Sequence, residues 1–273
     1  MNAAEARDLV LRIEEVEARA WQQVHERAQA ADAEALGLRA RELAGGLIMT
    51  ADRVESLLHN RALGLGLREP LSAATLDAVL EHYRGGPPGF AINLCPLAAR
   101  DGLERDLAAR GFATFFHHLK WVRDAAPAAP VSSTLRIERI EPAHAPVWGA
   151  LSARILESPA GSGAWIARTV GSPGWSHYFA CDGTTPVAVG AMFVHGDVAW
   201  LGFGATLESH RRRGAQGSLF AARITDAIAQ GVRWLTTETA PDWPDVPGES
   251  VRNAKRAGFH PAYERPSWIW PAG

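Results

Sequence analysis

The chain has 273 residues, of which 47% are hydrophobic and 21% charged, with a formal net charge of −2. That is globular composition with material for two domains of ordinary size, and a balance this near neutral supplies no global positive field for nucleic acid or an anionic membrane. Two distant cysteines, Cys95 and Cys181, give no disulfide framework and no zinc-ligand spacing.

The first stretch, "MNAAEARDLVLRIEEVEARAW", is charged throughout and lacks the apolar core of a signal peptide. No segment approaches the ~20 apolar residues of a membrane span. With the cysteine usage, these features lead us to expect a soluble cytoplasmic protein. Residues 3–32 are Ala/Glu/Arg-rich and read as helical. "LLHNRALGLGL" then reads as a strand and "SAATLDAVLEHY" as a helix with Ser72 as N-cap chemistry, and the segments "GFAINLCP" and "RDGLERDLAARGF" follow. "DAAPAAPVSS", residues 124–133, is Pro/Ala/Ser-rich and reads as a linker. Beyond it come a strand, "STLRIERIE", helical segments near 142–169, and strands in "HYFACDG", "TPVAVGAMFVHG" and "VAWLGFGATL". A helix from about Gly214 to Gln230, a strand "RWLTTETA", a short helix into "AKRAGF" and a last strand complete the chain.

The halves echo each other. Leu63-Gly64-Leu65-Gly66 matches Leu201-Gly202-Phe203-Gly204, "LAARGF" matches "AKRAGF", and ten residues separate Gly111 from Trp121 just as ten separate Gly258 from Trp268. Three features in one order point to two copies of an α/β unit, residues 1–124 and 133–273, packed as a pseudo-dimer. The copies differ between strand and helix, where "LESHRRRGAQG" in the second faces "LREPLSAATLD" in the first.

The second loop places Gly214 and Gly217 at a helix entry beside Arg211, Arg212 and Arg213. Unsatisfied amides and the positive end of the helix dipole hold an anion at such a place. Glycine lets backbone approach phosphate oxygens, and arginines pair with further phosphate charge. No Gly-Lys-Ser/Thr follows, so this is not the nucleotide P-loop. A solvated arginine cluster at a helix start and a nucleic-acid patch are the alternatives. Cations oppose the dipole in the first, and the second requires a wider basic face with interleaved aromatics.

After a strand, Arg211-Arg212-Arg213-Gly214-Ala215-Gln216 resembles the Arg/Gln-x-x-Gly-x-Gly/Ala signature of the GNAT superfamily of N-acetyltransferases, with Gln216 where Gly or Ala is usual and Gly217 directly after it. Over roughly residues 133–271 the order of elements and the "RAGF" before a terminal strand resemble that family too, and the first half resembles a degenerate copy, as in tandem members. The implied fold is α/β (α+β): two tandem GNAT-like units, each a mixed, mostly antiparallel sheet flanked by helices.

The resemblance implies that Arg212 to Gly217, with Arg211 beside them, hold the pyrophosphate of acetyl-coenzyme A. It implies that the backbone of Gly204, Ala205 and Thr206 pairs with the pantetheine arm and polarises the thioester carbonyl. Ser250 and Asn253 fall near the cofactor. The tyrosine that family members often carry four residues before the "GF" glycine is Ala254 here, so the acid that protonates the thiolate falls to Ser250, Asn253, Tyr263 or a water. For the base we favour Glu238, with Thr236, Thr237 and Thr239 around it to hydrogen-bond it, against the reading of an exposed acid at a strand end. Glu208 is a second choice, and His195 and His210 read as surface or turn residues. Trp165 and Trp175 either wall an acceptor pocket or pack in the core, and Asp242 and Asp245 in "APDWPDVPGES" either attract a cationic amine or solvate a loop. The expected partner is a small-molecule amine, with no nucleic acid, no membrane, no metal, one coenzyme A per chain, and a monomer or homodimer. A catalytically silent coenzyme A-binding sensor or scaffold is the competing function.

Overall fold

A computed structural model describes residues 2–241 and 248–270. The chain divides into two compact units, residues 1–119 with 263–273 and residues 120–262.

Unit 1 opens with α1 (Ala3–Glu26), started by a capping box in which the Asn2 side chain accepts from the Glu5 amide and Glu5 accepts from the Asn2 amide. Leu9, Ile13, Val16, Ala20 and Val24 recur at helical spacing and are buried. Glu14 and Glu17 share that face, and each is held by Arg265: 3.1 Å to Glu14, and 2.8 and 3.1 Å to Glu17. A short α2 (Ala30–Leu36) ends at Gly37 with φ +66°, and β1 (Leu38–Leu43), β2 (Gly46–Ala51) and β3 (Arg61–Leu63) follow. Then come α3 (Ala73–Tyr83), β4 (Phe90–Asn93), α4 (Leu103–Ala108) and β5 (Ala113–Asp124). Ser72 caps α3 as its sequence implies, accepting from the Thr75 amide. The core gathers Ile48, Leu76, Val79, Phe90, Leu107 and Phe112, with the Tyr83 ring stacked on Phe90 at 3.9 Å.

Unit 2 is built from β6 (Arg136–Arg139), α5 (Ala145–Ile155), α6 (Ser162–Ile166), β7 (Trp175–Asp182), β8 (Thr185–His195), β9 (Val198–Thr206), α7 (Ala215–Ala229), β10 (Trp234–Thr239) and α8 (Glu249–Arg256). The last strand, β11 (His260–Trp270), is compact with unit 1 from Tyr263 on. Strand order is β1-β2-β3-β4-β11-β5 in unit 1 and β10-β9-β8-β7-β6 in unit 2, with Lys120–Asp124 of β5 beside β10. The repeat read from the sequence is visible in the topology. β1, β2 and β3 pair antiparallel and β3 pairs parallel with β4, while β7, β8 and β9 pair antiparallel and β9 pairs parallel with β10. The compact units differ from the segments 1–124 and 133–273 at their last strands, because strand pairing groups residues by hydrogen bonds and not by chain order.

Both faces of the unit 2 sheet are covered. The Tyr178 hydroxyl donates to Asp226 of α7 at 2.7 Å, whereas the preceding His177 meets Trp148 of α5 edge-on at 4.7 Å. Alternation along β7 sends successive side chains to opposite faces, which is why β7 reads as an unbroken buried run. The α5–α6 contact is close because Gly149 faces Gly163: a Cβ on Gly163 would lie 2.3 Å from the Gly149 carbonyl oxygen.

Candidate functional site

The site grows from a defect in one strand. Val189 pairs with Ala205 and Ala191 with Gly202, so the single residue Gly190 faces both Phe203 and Gly204. This is a β-bulge, with one extra residue in β9. Phe203 accommodates it at φ +52°, a left-handed conformation that costs a bulky side chain roughly 1–2 kcal/mol. The bulge also breaks the two-residue alternation. Trp200 and Phe203, three apart, both lie against Trp175, with centroids 6.3 and 6.4 Å away.

On its other edge β9 pairs parallel with β10 from Val198 to Trp200, opposite Trp234 to Thr236. The Thr237 hydroxyl donates to the Leu201 carbonyl at 2.8 Å. Beyond that point lie the bulge, an exposed Gly204 and a half-buried Thr206 on β9, and Glu238 on β10.

The arginine loop follows directly. Arg211 and Arg212 are exposed, Arg212 has φ +62°, and Gly214, at φ +82°, is the N-cap of α7. Ala215, Gln216 and Gly217 form the first turn of that helix, whose amides have no intrahelical acceptor. Arg213 is committed elsewhere: it pairs with Asp182 at 2.7 Å and its carbonyl accepts from Ser133 at 2.8 Å. His210 sits 3.4 Å from the same Asp182. What crowds the two glycines is protein. A Cβ on Gly214 would lie 2.8 Å from the Ser132 carbonyl oxygen, and one on Gly217 would lie 3.1 Å from Val131. The glycines therefore admit the 131–133 segment, a use the sequence did not suggest.

Gln216, the departure from the motif, folds back over β9. Its Nε2 donates to the Thr206 hydroxyl at 2.9 Å, and its Oε1 is 2.8 Å from where a Cβ on Gly204 would stand.

Glu238 has a partner the sequence gave no reason to suspect. The Nζ of Lys120, a fully buried side chain, lies 3.9 Å from its carboxylate. The threonines around Glu238 do not serve it in the way expected. Thr236 donates to the Trp121 carbonyl (2.9 Å), Thr237 to Leu201, and Thr239 to the Ala240 carbonyl (2.8 Å) while accepting from the Trp121 indole (3.0 Å). Alternation puts two of them on the opposite face from their neighbour, so backbone carbonyls are nearer than the carboxylate.

The remaining candidates scatter. Ser250 and Asn253 lie on α8, exposed and half-buried, and Ala254 is fully buried beside them. Tyr263 is a correction. Its hydroxyl donates to Glu14 within unit 1, and loss of solvent and the Glu14 charge push its pKa well above the ordinary value. A phenol so committed is not the acid of the unit 2 site. Trp165 and Trp175 are buried, Trp175 stacked against Phe203 of the bulge at 6.4 Å. Glu208 is exposed in a turn before the loop and His195 is exposed at the end of β8. Asp242 and Asp245 lie outside the described residues.

Sequence reasoning missed Arg223. It lies on the buried face of α7, 1% exposed, and its guanidinium donates to the carbonyls of Leu219 (3.0 Å), Ala191 (3.2 Å) and Gly202 (3.4 Å). A charged residue amid the apolar positions of a helix was the available signal.

Solved structures place this arrangement. A GCN5-related N-acetyltransferase from Kribbella flavida aligns with a TM-score of 0.60 at 15% identity, over 97% of this chain and 96% of that one. One from Sphaerobacter thermophilus gives 0.60 at 12%, over 83% and 80%. A tandem GNAT protein from the clavulanic acid biosynthesis pathway gives 0.56 at 15%, over 84% and 78%. The chain has the GNAT fold. No family sequence model matches it, and no curated protein matches it in sequence. In unit 2 of this GNAT fold, the β9 bulge, the parting of β9 from β10 and the α7 amides are neighbours. Unit 1 has instead a cavity of about 420 Å³ beside Gly45, Gly46 and Gly64. Its charged lining is internally paired, Arg68 with Glu15 at 2.9 Å and Arg19 with Glu42 at 3.3 Å. Among the described residues no group of three or more His, Cys, Asp or Glu is arranged to hold a metal ion, and no helix is long and apolar enough to cross a membrane.

Proposed function

We propose that the chain is an acetyl-coenzyme A-dependent N-acetyltransferase whose chemistry resides in unit 2 and whose acceptor is a primary amine of a small molecule. The observation that carries this reading is the coincidence of the Phe203 bulge with the first-turn amides of Ala215, Gln216 and Gly217, which have no intrahelical acceptor, at the next helix start. A strand edge offers amide and carbonyl groups to a pantetheine arm, and a helix start offers amides and dipole to a pyrophosphate. The donor set therefore fits coenzyme A, with Arg211 and Arg212 free to meet its phosphates and Arg213 bracing the loop through Asp182. The Gln216 side chain must turn aside from Gly204, which its rotatable bonds allow.

Acetyl-coenzyme A would supply an activated thioester. Around it, the bulge amides oppose charge that develops on a carbonyl oxygen. Glu238, kept beside the buried Lys120 ammonium, accepts the proton that the attacking amine sheds. The thiolate leaves as an anion or takes its proton from water.

One observation favours a second reading, a coenzyme A-binding protein without catalysis: Ala254 is buried where the family often has a hydroxyl, and Tyr263 is bound to Glu14. Calorimetry of acetyl-coenzyme A, together with thiol release across an amine panel, tests both. We expect one site per chain and saturable release. The pair Arg211→Ala and Arg212→Asn, which keeps a residue tolerant of positive φ at 212, should weaken binding at least tenfold. Binding without release would establish the silent reading. No binding would overturn both.

A further inference from the structure

Arg223 is a buried charge that, among the described residues, has no counter-charge within hydrogen-bond reach. Its contacts are the three carbonyls of Leu219, Ala191 and Gly202 and the face of the Phe220 ring, 4.7 Å from Cζ. Among the described residues its Nη2 has no hydrogen-bond partner. Burial lowers its pKa to about 10, so it stays protonated at neutral pH. A lone buried cation is costly, and one that merely filled space would be replaced by an apolar side chain at no loss.

Its surroundings are built to admit it. A Cβ on Gly190 would stand 3.2 Å from the Arg223 Cζ, and one on Gly204 would stand 4.0 Å from the free Nη2. Gly190 faces the bulge from β8, Gly202 and Gly204 flank Phe203, and Ala191 and Gly202 are the last register pair before the bulge. Nη1 of the guanidinium donates to the carbonyls on both strands of that pair. Two strands that part at a bulge lose ladder bonds there, and these bonds replace them.

We propose that Arg223 is the positioning residue of this site, pinning the β9 bulge through the Ala191 and Gly202 carbonyls and setting its charge close to Gly204. The inference rests on the reading of β9 as the strand that receives acetyl-coenzyme A. It assigns the direction of the bulge amides, and the positive potential behind them, to a side chain on α7.

The test is spectroscopic and needs no acceptor. Isotope-edited infrared spectra of carbonyl-labelled acetyl-coenzyme A, free and bound to the full chain, report how far the site polarises the thioester carbonyl. Wild type should displace the carbonyl band to lower wavenumber. Arg223→Met should lose at least half of that displacement while binding unacetylated coenzyme A within about threefold of wild type. Arg223→Lys, which keeps the charge but lacks the Nε and Nη2 donors, should fall between; it carries the same test should R223M not fold. A displacement unchanged in the variant that folds overturns the proposal alone. So does a wild type that binds without displacement. Failure of wild type to bind acetyl-coenzyme A overturns the functional reading beneath it.

Discussion

Glu238 and Gln216 show how single residues set the chemistry of the site. A carboxylate half-buried at a strand end would be a weak functional argument by itself; the Nζ of the buried Lys120, 3.9 Å away, gives it a partner in the fold. Glu238→Gln should lower kcat by about 10²- to 10⁴-fold, the usual contribution of a general base, with the KM for acetyl-coenzyme A little changed. Steady-state rates at saturating acceptor check this, and a kcat within threefold of wild type would remove Glu238 from the role. Gln216 makes a different point. Its amide lies across Gly204 and bonds Thr206, so Gln216→Ala should leave coenzyme A binding as tight or a few times tighter by calorimetry. A tenfold loss would mean that the amide itself contacts the cofactor.

At the scale of elements, the helices of unit 2 are fixed by what they can approach. α6 carries Ser162, Gly163 and Trp165, all buried, and its contact with α5 depends on two glycines back to back. Gly163→Ala should destabilise the protein by about 1–3 kcal/mol, as overpacking in a tight interface does, without altering coenzyme A affinity; chemical denaturation measures the first and calorimetry the second. α7 shows the same dependence on its neighbours. Its apolar face packs conventionally, but Arg223 interrupts that face because Gly190 of β8, where a Cβ would stand 3.2 Å from its Cζ, leaves room for a guanidinium.

For the whole molecule the clearest consequence is sensitivity to acid. Burial depresses the pKa of His177 to about 3, and burial together with neighbouring arginine charge depresses those of His59 and His82 to about 4 each. These side chains are neutral when folded and bind a proton near pH 6.5 once unfolded. Between pH 6.5 and the folded values, the unfolded chain holds more protons, and stability rises with pH. The contribution is complete above pH 6.5 and is lost as the pH falls toward 4 and then 3. At pH 5, about 1.5 units below the unfolded value, His177 alone costs roughly 2 kcal/mol. Urea melts should therefore show stability falling steeply from pH 7 to 5. A flat profile would mean these rings gain a proton without unfolding.

The sequence by itself determined a good deal: the order of elements in the second half, the internal repeat, the capped start of α3, and the loop between β9 and α7. These are local properties, written in periodicity, caps and glycine placement within a dozen residues of one another, so they are legible without knowing what lies opposite. Tertiary structure alone decided the rest. Lys120 meets Glu238, and Tyr263 meets Glu14, across more than a hundred residues of chain. Gly214 and Gly217 read as openings for a phosphate and prove to be pressed by Val131 to Ser133. Arg223 and the Phe203 bulge are invisible in their own segments, because a buried charge and a left-handed phenylalanine are each unfavourable locally. Only the partners that the fold brings from other strands, at distances no local pattern encodes, make them tolerable.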